Sequence, residues 1–330
     1  METFRDILGQ TSIKEHFRYV LDTGKISHAY ILCGEKGSGK KLLTNTFVRA
    51  AQCEKGGVEP CNECKSCKQA LNGNHPDIIS LVHEKPNTIT VEEVRRQINS
   101  DIAIKPYSRE RKFYIIDEAE KMNVQAQNAL LKTLEEPPSY ATIFILTTNL
   151  EAMLQTIKSR CILFHIKTVS DYDIKHFLMS KKQVPDYSAK LCVSFARGNV
   201  GRALALASSE EFEELKTNTL RLLQTIEEKS ISDLNKSAKE LADKKYDIQT
   251  CFDIMLLWYR DILLYKSSNT TKHLIFSDEV QYIRKIAQSN SFECLNYKLD
   301  SLQEVQQRLA YNVNTELSIE WMLLVLSGGI

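Results

Sequence analysis

The stretch GEKGSGKK, residues 34–41, decides the fold of this chain. Gly34, Gly39 and Lys40 match the phosphate-binding P-loop pattern G-x-x-x-x-G-K-[ST]. Its glycines let backbone N–H groups wrap around phosphates, and its lysine reaches the outer phosphate oxygens. The last position of the pattern should carry a hydroxyl that binds Mg²⁺, but here it is Lys41. Because water can replace one lost Mg²⁺ ligand, we expect ATP binding to remain possible and hydrolysis to suffer more.

The surroundings of the loop, which also contains Gly37, predict an α/β fold. A short apolar run precedes the loop and a helix-forming run follows it, as in a strand–loop–helix unit. Short runs of this kind, rich in β-branched and aromatic residues, suit a parallel sheet that is buried on both faces. The predicted strands are AYILCG (29–34), DIISLV (77–82), KFYIID (112–117), TIFILTT (142–148) and CILFHI (161–166).

Two helices between these strands carry clear boundary signals. TVEEVRRQI opens with Thr90 and Glu93 at capping-box spacing. NVQAQNALLKTLEEPP can begin at Asn123 and must end before Pro137. Six of seven prolines and eight of twelve glycines lie before residue 166, so the remainder of the chain is predicted to be almost entirely helical.

Acidic residues follow the third predicted strand in FYIIDEAEKM, residues 113–122. In a P-loop protein Asp117 would hold the Mg²⁺ shell and Glu118 would polarise the attacking water. The alternative is a strand followed by an acidic helix cap. TIFILTTN ends in Thr147, Thr148 and Asn149, which could orient water but are also common in turns.

A cluster of cysteines follows the P-loop helix with the spacing C-x₇-C-x₂-C-x₂-C. Four thiolates this close can form a closed tetrahedral Zn²⁺ shell, which leaves no open position for zinc catalysis. Two disulfides, an iron–sulfur cluster and uncoordinated thiols are the alternatives. We predict a structural zinc site made of Cys53, Cys61, Cys64 and Cys67, and we expect the other five cysteines to be core residues.

Composition bounds the remaining possibilities. The chain has 330 residues and a formal net charge of +1, which allows two or three domains and gives no global field toward nucleic acid or membrane. The opening METFRDILGQ does not read as a signal peptide, and no apolar run of about 18 residues predicts a membrane span. Nine cysteines then indicate a reducing compartment, and we expect a cytoplasmic protein.

The combined motifs resemble a known family. HAYILCG, the four-cysteine insertion, DEAEKM, NALLKTLEEPP and TIKSRC are similar to the bacterial clamp-loader subunits of the AAA+ class, the gamma/tau and delta-prime subunits of DNA polymerase III. The resemblance covers most of residues 1–210. The delta-prime branch is the better match, because gamma/tau subunits carry GKT or GKS where this chain has GKK, and because tau has a long extension beyond its collar domain. WYRDILLYK (258–266) and LAYNVNTELSIEWMLL (309–324) also resemble delta-prime collar helices.

The resemblance implies an architecture and partners. Residues 1–166 would form a RecA-like AAA+ domain with the zinc module at 53–67, residues 167–208 a helical lid, and residues 209–330 a helical collar that oligomerises. The chain would brace a complex with gamma/tau and delta that loads a sliding clamp onto primed DNA. It would belong to a holoenzyme with DNA-directed DNA polymerase (nucleotidyltransferase) activity, although it carries no polymerase motif itself.

The resemblance also implies roles for two arginines. Arg160 in SRC would enter the ATP site of a neighbouring subunit as an arginine finger, and without the family match it would read as a surface arginine. Arg202 lies where the family has its sensor-two residue. The main alternative is a gamma-like subunit that itself hydrolyses ATP. A second alternative is a zinc-dependent nucleic-acid binder, against which the near-zero net charge argues.

Overall fold

The structure is a computed structural model that describes residues 3–242, 248–310 and 314–329. It divides into two compact units. Unit 1 is Met1–Ile174 with Ala196–Arg202, and unit 2 is Lys175–Phe195 with Ala203–Ile330. The predicted domain boundaries at 166 and 208 stay a prediction. Residues 311–313, inside the second of the two collar-like stretches, lie outside the described residues.

Unit 1 is built on a five-stranded parallel sheet with the strand order β2-β3-β4-β1-β5. Each strand begins within one residue of its predicted run, so the α/β prediction is confirmed. The strands are β1 Ala29–Cys33, β2 Ile78–Ser80, β3 Lys112–Ile116, β4 Ala141–Thr147 and β5 Ile162–His165.

The helices of unit 1 lie on both sides of the sheet. Thr90 and Glu93 form the predicted capping box, and the Asn123 side chain caps the next long helix by accepting a hydrogen bond from the Ala126 N–H. The helices are α1 Thr11–Thr23, α2 Lys40–Ala51, α3 Lys65–Leu71, α4 Val91–Val94 continued by a π-helical turn Arg95–Asn99, α5 Val124–Glu135 and α6 Gln155–Lys158.

Alternate side chains of each central strand enter one of two apolar cores, one on each face of the sheet. Tyr30 and Leu32 pack with Phe17 and Phe47 in one core, whereas Ile31 packs in the other. This places the helices in two layers around a buried sheet. Burial on both faces holds for β1, β3 and β4, but that prediction is wrong for the two edge strands, since β2 is only partly buried and β5 is mostly exposed.

The chain is helical beyond β5 throughout the residues that the structure describes, as predicted. Helices α7 and α9 each cross between the two units. Trp258, Met322 and Leu323 are fully buried in unit 2. No helix in the described part of the chain is long and apolar enough to cross a bilayer. The helices are α7 Asp171–Lys182, α8 Asp186–Ala196, α9 Val200–Ala207, α10 Glu210–Thr225, α11 Ile231–Ala242, α12 Ile248–Ser268, α13 Val280–Ser289, α14 Phe292–Ala310 and α15 Thr315–Ser327.

Candidate nucleotide and metal sites

The P-loop lies between the end of β1 and the start of α2, where its chemistry requires it. Gly37 and Gly39 have φ angles of +83° and +94°, a left-handed conformation that favours glycine. The first N–H groups of α2 have no partner within the helix and carry its positive dipole end. The Gly34 N–H donates to the Thr147 carbonyl of β4 at 3.1 Å, which fixes the loop to the sheet. The loop therefore has the shape of a phosphate cradle.

A segment from far along the chain braces the outer side of this loop. The Gly201 N–H donates to the Gly37 carbonyl at 3.0 Å, and the buried Asn199 amide donates to the Lys36 carbonyl at 2.8 Å. A Cβ on Gly201 would lie 2.4 Å from the Gly37 oxygen, so only glycine fits there. Sequence reasoning missed Asn199, because no local signal links it to a loop more than 150 residues earlier.

Lys40 points into its own loop. Its Nζ donates to the Gly34 and Glu35 carbonyls at 2.6 and 2.9 Å. Burial lowers the pKa of Lys40, while Glu120 and Asp117 oppose that shift. The ammonium is thus already oriented at the point where phosphate oxygens would enter the loop.

Lys41, at the position where a hydroxyl is expected, forms an ion pair with the acid that follows β3. Its Nζ lies 3.2 Å from Asp117 Oδ2, and the Lys41 side chain remains 63% exposed. A protein cation therefore contacts the carboxylate that the motif assigns to Mg²⁺. The donor set does not fit a P-loop Mg²⁺ ion, because one ligand is missing and the other is paired with an ammonium.

Glu118 is also paired inside the chain. It lies at φ 52° and accepts a hydrogen bond from Lys121, and His83 Nε2 lies 3.5 Å from its Oε2. The hydrogen bond from Lys121 is the main reason why the pKa of Glu118 lies below its ordinary value. The carboxylate is charged but already paired with Lys121, so it is not free to polarise a water molecule.

Glu120 is a site residue that sequence reasoning missed. Its carboxylate accepts hydrogen bonds from Thr147 Oγ1 at 3.0 Å and from Thr148 Oγ1 at 2.7 Å. The buried Thr147 hydroxyl and the Asn149 N–H also bond to each other. The polar end of β4 is thus tied to the loop after β3, and the signal was the acid two residues after Glu118 in DEAEKM.

The four predicted cysteines converge. Their Sγ atoms all lie within 4.8 Å of one another, and Cys61 Sγ and Cys67 Sγ are 3.9 Å apart. Zn–S bonds of about 2.3 Å in a tetrahedron place the sulfurs roughly 3.8 Å apart, so a metal ion fits this group with little movement. N–H groups of Glu63 and Cys64 lower the pKa of Cys61 to about 6, which favours the thiolate that metals bind.

Side chains on both sides of the cluster attach it to unit 1. The buried Ser66 hydroxyl donates to the Gln52 carbonyl at 2.6 Å and lies 3.0 Å from His75 Nε2. His75 Nδ1 accepts the Asp77 N–H, so Nε2 carries the ring proton. Glu59, on the loop between the first two cysteines, pairs with Arg18 of α1 at 2.6 Å.

Arg160 follows α6 and lies just before β5. Its guanidinium contacts Glu135 Oε1 at 2.8 Å and donates to the Thr156 carbonyl at 2.8 Å, and its side chain is 34% exposed. The Ser159 hydroxyl also donates to the Thr156 carbonyl, which fixes the turn. Burial raises the pKa of the neighbouring Cys161 to about 12, so that thiol is neutral.

Arg202 lies on the segment that braces the P-loop. Its N–H donates to Asn199 Oδ1 at 3.1 Å, and the residue is exposed. The structure therefore brings this predicted residue into the neighbourhood of the P-loop through its backbone. Its role as a sensor stays a prediction.

Comparison with known proteins agrees with this geometry. A sequence profile described as "DNA polymerase III, delta subunit" matches residues 9–170, and one described as "DNA polymerase III, delta subunit, C terminal" matches residues 211–328. The chain belongs to the clamp-loader subunit family of DNA polymerase III. The resemblance drawn from the motifs is thereby confirmed at the level of the family.

The clamp-loader relatives include both kinds of subunit. The chain is 30% identical to DNA polymerase III subunit tau of Bacillus subtilis over 97% of its own length, and it spans 60% of that protein. It is 28% identical to subunit delta' of the same organism, over 94% of this chain and 93% of the relative. A gamma subunit-related protein from Thermotoga maritima has a similar structure, with a TM-score of 0.44, 19% identity and 96% of this chain and 98% of that chain covered.

Proposed function

We propose that this clamp-loader subunit has the delta-prime role. It braces the complex, binds gamma/tau and delta through its helical region 209–330, and supplies Arg160 to the ATP site of a gamma/tau neighbour. The assembled complex would place a sliding clamp on primed DNA. The match of family profiles to residues 9–170 and 211–328 supports the general role, and the geometry around Arg160 supports the specific one.

The position of Arg160 relative to the sheet carries this proposal. In the parallel sheet Ile162 of β5 lies beside Tyr30 of β1, and His165 lies beside Cys33, which the P-loop follows. Arg160 is therefore at the amino ends of the strands and the P-loop is at the carboxyl ends. Four strand residues at roughly 3.3 Å each separate the two ends by about 13 Å. A partly exposed arginine at that end is out of reach of its own P-loop and open to another subunit's nucleotide.

The alternative hypothesis is a gamma-like subunit that hydrolyses its own ATP. The preformed P-loop and the intact Lys40, Asp117 and Glu118 favour it. The ion pairs of Asp117 with Lys41 and of Glu118 with Lys121 argue against it, because both acids are engaged. We therefore assign no intrinsic ATPase activity to this chain.

The test is a single-turnover ATPase measurement on the assembled complex, with variants in this subunit only. Arg160→Ala should slow hydrolysis at the neighbouring site by about 10³-fold, the range typical of arginine fingers. Arg160→Lys should recover little, because an ammonium lacks the planar fork. Lys158→Ala removes a nearby charge and should leave turnover within about twofold. Unchanged turnover in Arg160→Ala complexes that assemble normally would refute the finger.

A second variant separates the two readings. Lys40→Ala in this subunit should leave the turnover of the complex unchanged if the chain is a brace. Loss of a share of turnover equal to one active site would instead establish the gamma-like function.

We also propose that Cys53, Cys61, Cys64 and Cys67 hold a structural Zn²⁺ ion. The convergence of four sulfurs within 4.8 Å of one another supports this assignment. All four positions of a tetrahedral shell come from the protein, so the ion would stabilise the insertion rather than act on a substrate.

A further inference from the structure

The contact between Lys41 and Asp117 has a chemical meaning beyond the loss of hydrolysis. In a P-loop protein the residue after the conserved lysine and the acid after the third strand act together on one Mg²⁺ ion. In this chain the same two positions hold an ammonium and a carboxylate whose atoms are 3.2 Å apart. Lys41, which stands where a metal ligand is expected, thus places its positive charge against Asp117, the carboxylate that the metal would contact.

The surrounding acids do not compete for this ammonium. Glu118 is paired with Lys121, and Glu120 accepts hydrogen bonds from Thr147 and Thr148. Asp117 is therefore the acid of this group that Lys41 neutralises. With 63% of its side chain exposed, Lys41 also keeps N–H donors available for a ligand, since an ammonium has three.

The loop beside this pair is shaped for phosphate without any metal. Gly37 and Gly39 hold the left-handed backbone conformations of an anion nest, and Lys40 is oriented by two loop carbonyls. Asn199 and Gly201 bond to loop carbonyls rather than to loop N–H groups, of which those of Gly34 and Ser38 already donate within the chain. Two adjacent ammonium groups and a helix amino terminus then face the same phosphate site.

We propose that Lys41 takes the place of Mg²⁺, so that this site binds a nucleoside triphosphate as the metal-free anion. The Lys41 ammonium cancels the Asp117 charge that would otherwise repel the β- and γ-phosphates, its remaining N–H groups donate to their oxygens, and its pairing with Asp117 keeps the divalent ion out. Excess Mg²⁺ holds ATP in solution as its magnesium complex and therefore weakens apparent binding at this site, and the nucleotide is held rather than consumed. This assignment does not depend on Arg160 or on the delta-prime role.

Calorimetric titration of ATP into the purified full-length chain tests the proposal. The buffer is freed of divalent ions by resin rather than by a chelator, so that a metal in the cysteine cluster is left in place. The apparent wild-type dissociation constant should be weaker by about tenfold or more in buffer with excess Mg²⁺, because most ATP is then the magnesium complex that the site excludes. Lys41→Thr restores the hydroxyl, and its binding should become at least tenfold tighter in Mg²⁺ than without it.

The matched control is Lys36→Thr, which removes an exposed positive charge from the same loop without touching Asp117. It should weaken ATP binding to a similar degree with and without Mg²⁺. Lys41→Ser is the second variant if Lys41→Thr proves unfolded by circular dichroism, and the wild-type comparison stands without either. Three results overturn the proposal: wild-type binding that Mg²⁺ leaves unchanged or tightens, no ATP binding by the wild type in either buffer, or binding by a folded Lys41→Thr chain that Mg²⁺ does not tighten.

Discussion

The P-loop and the cysteine cluster are both loop-and-helix sites of unit 1, but the source of positive charge differs between them. The cluster presents four sulfur ligands within 4.8 Å, so its thiolates would need a bound ion to neutralise their charge. At the P-loop, Lys41 contacts Asp117 directly and supplies the charge from the protein. The comparison teaches that an oxygen site can exchange its metal for a side chain, whereas a cluster of thiolates has no such substitute.

The two sites also differ in how they are attached. The P-loop is held from behind by Asn199 and Gly201, which lie more than 150 residues further along the chain. The cluster is held by neighbours in sequence, through Ser66 and His75, and by the pair of Glu59 with Arg18. Both sites therefore use contacts across the fold, and the cluster also uses local contacts and its proposed ion.

Metal removal should have the largest effect and should be confined to the cluster. Helix α3 has seven residues, too few to be stable in isolation. Structural zinc contributes about 10–16 kcal/mol to folding in small domains, so chelation should unfold residues 53–72. Hydrogen exchange followed by mass spectrometry should show loss of protection there while β1 and β4 stay protected. Simultaneous loss in the sheet would show that the cluster is not a satellite of the fold.

Gly201→Ala should come next, because it disturbs the brace of the P-loop. The added Cβ would lie 2.4 Å from the Gly37 carbonyl, a backbone atom that cannot move aside cheaply. We expect a loss of about 1–3 kcal/mol in the free energy of unfolding, the usual range for overpacking. Urea denaturation measures it, with Gly329→Ala as the control because the nearest atoms there are 3.5 Å away. Equal urea midpoints for the two variants would show that a Cβ at residue 201 does not disturb the contact with Gly37.

Ser66→Ala should have the smallest effect of the three. It removes the hydroxyl that joins the Gln52 carbonyl to the His75 ring and leaves two buried polar groups without this partner. Each such group typically costs about 1 kcal/mol, so we expect a loss of about 1–2 kcal/mol that appears with the metal bound. Ser208→Ala, at an exposed helix end, should change stability by less than about 0.5 kcal/mol. If the Ser66→Ala variant is as stable as this control, the Ser66 hydroxyl does not help to attach the cysteine cluster to unit 1.

The sequence allowed most of the fold to be predicted, because short apolar runs and turn residues are local signals. The strand beginnings and the caps at Thr90 and Asn123 follow from them. The exposure of β5 could not be foreseen, since its position at the sheet edge depends on strand order and its composition resembles that of a central strand.

The site was predictable in its residue types and less so in its pairings. The cysteine spacing was enough to expect four convergent sulfurs, because their separations are short. The partners of Lys41 and Glu120 needed the sheet, which brings the ends of β1, β3 and β4 together. The contact of Asn199 with the P-loop could be predicted only from the fold of unit 1 as a whole. Local chemical features can therefore be predicted from the sequence, whereas contacts between distant segments cannot.

The opposite placement of the P-loop and Arg160 on one sheet has a consequence for assembly. If Arg160 reaches a neighbour's nucleotide as proposed, each interface joins the amino end of one sheet to the carboxyl end of the next, which is a heterologous contact. Under the proposed role of Arg160, a subunit with an altered P-loop and an intact arginine would contribute to catalysis across only one of its two faces. It would then suit the end of a row of active sites, where its arginine completes the last site and its own loop adds none.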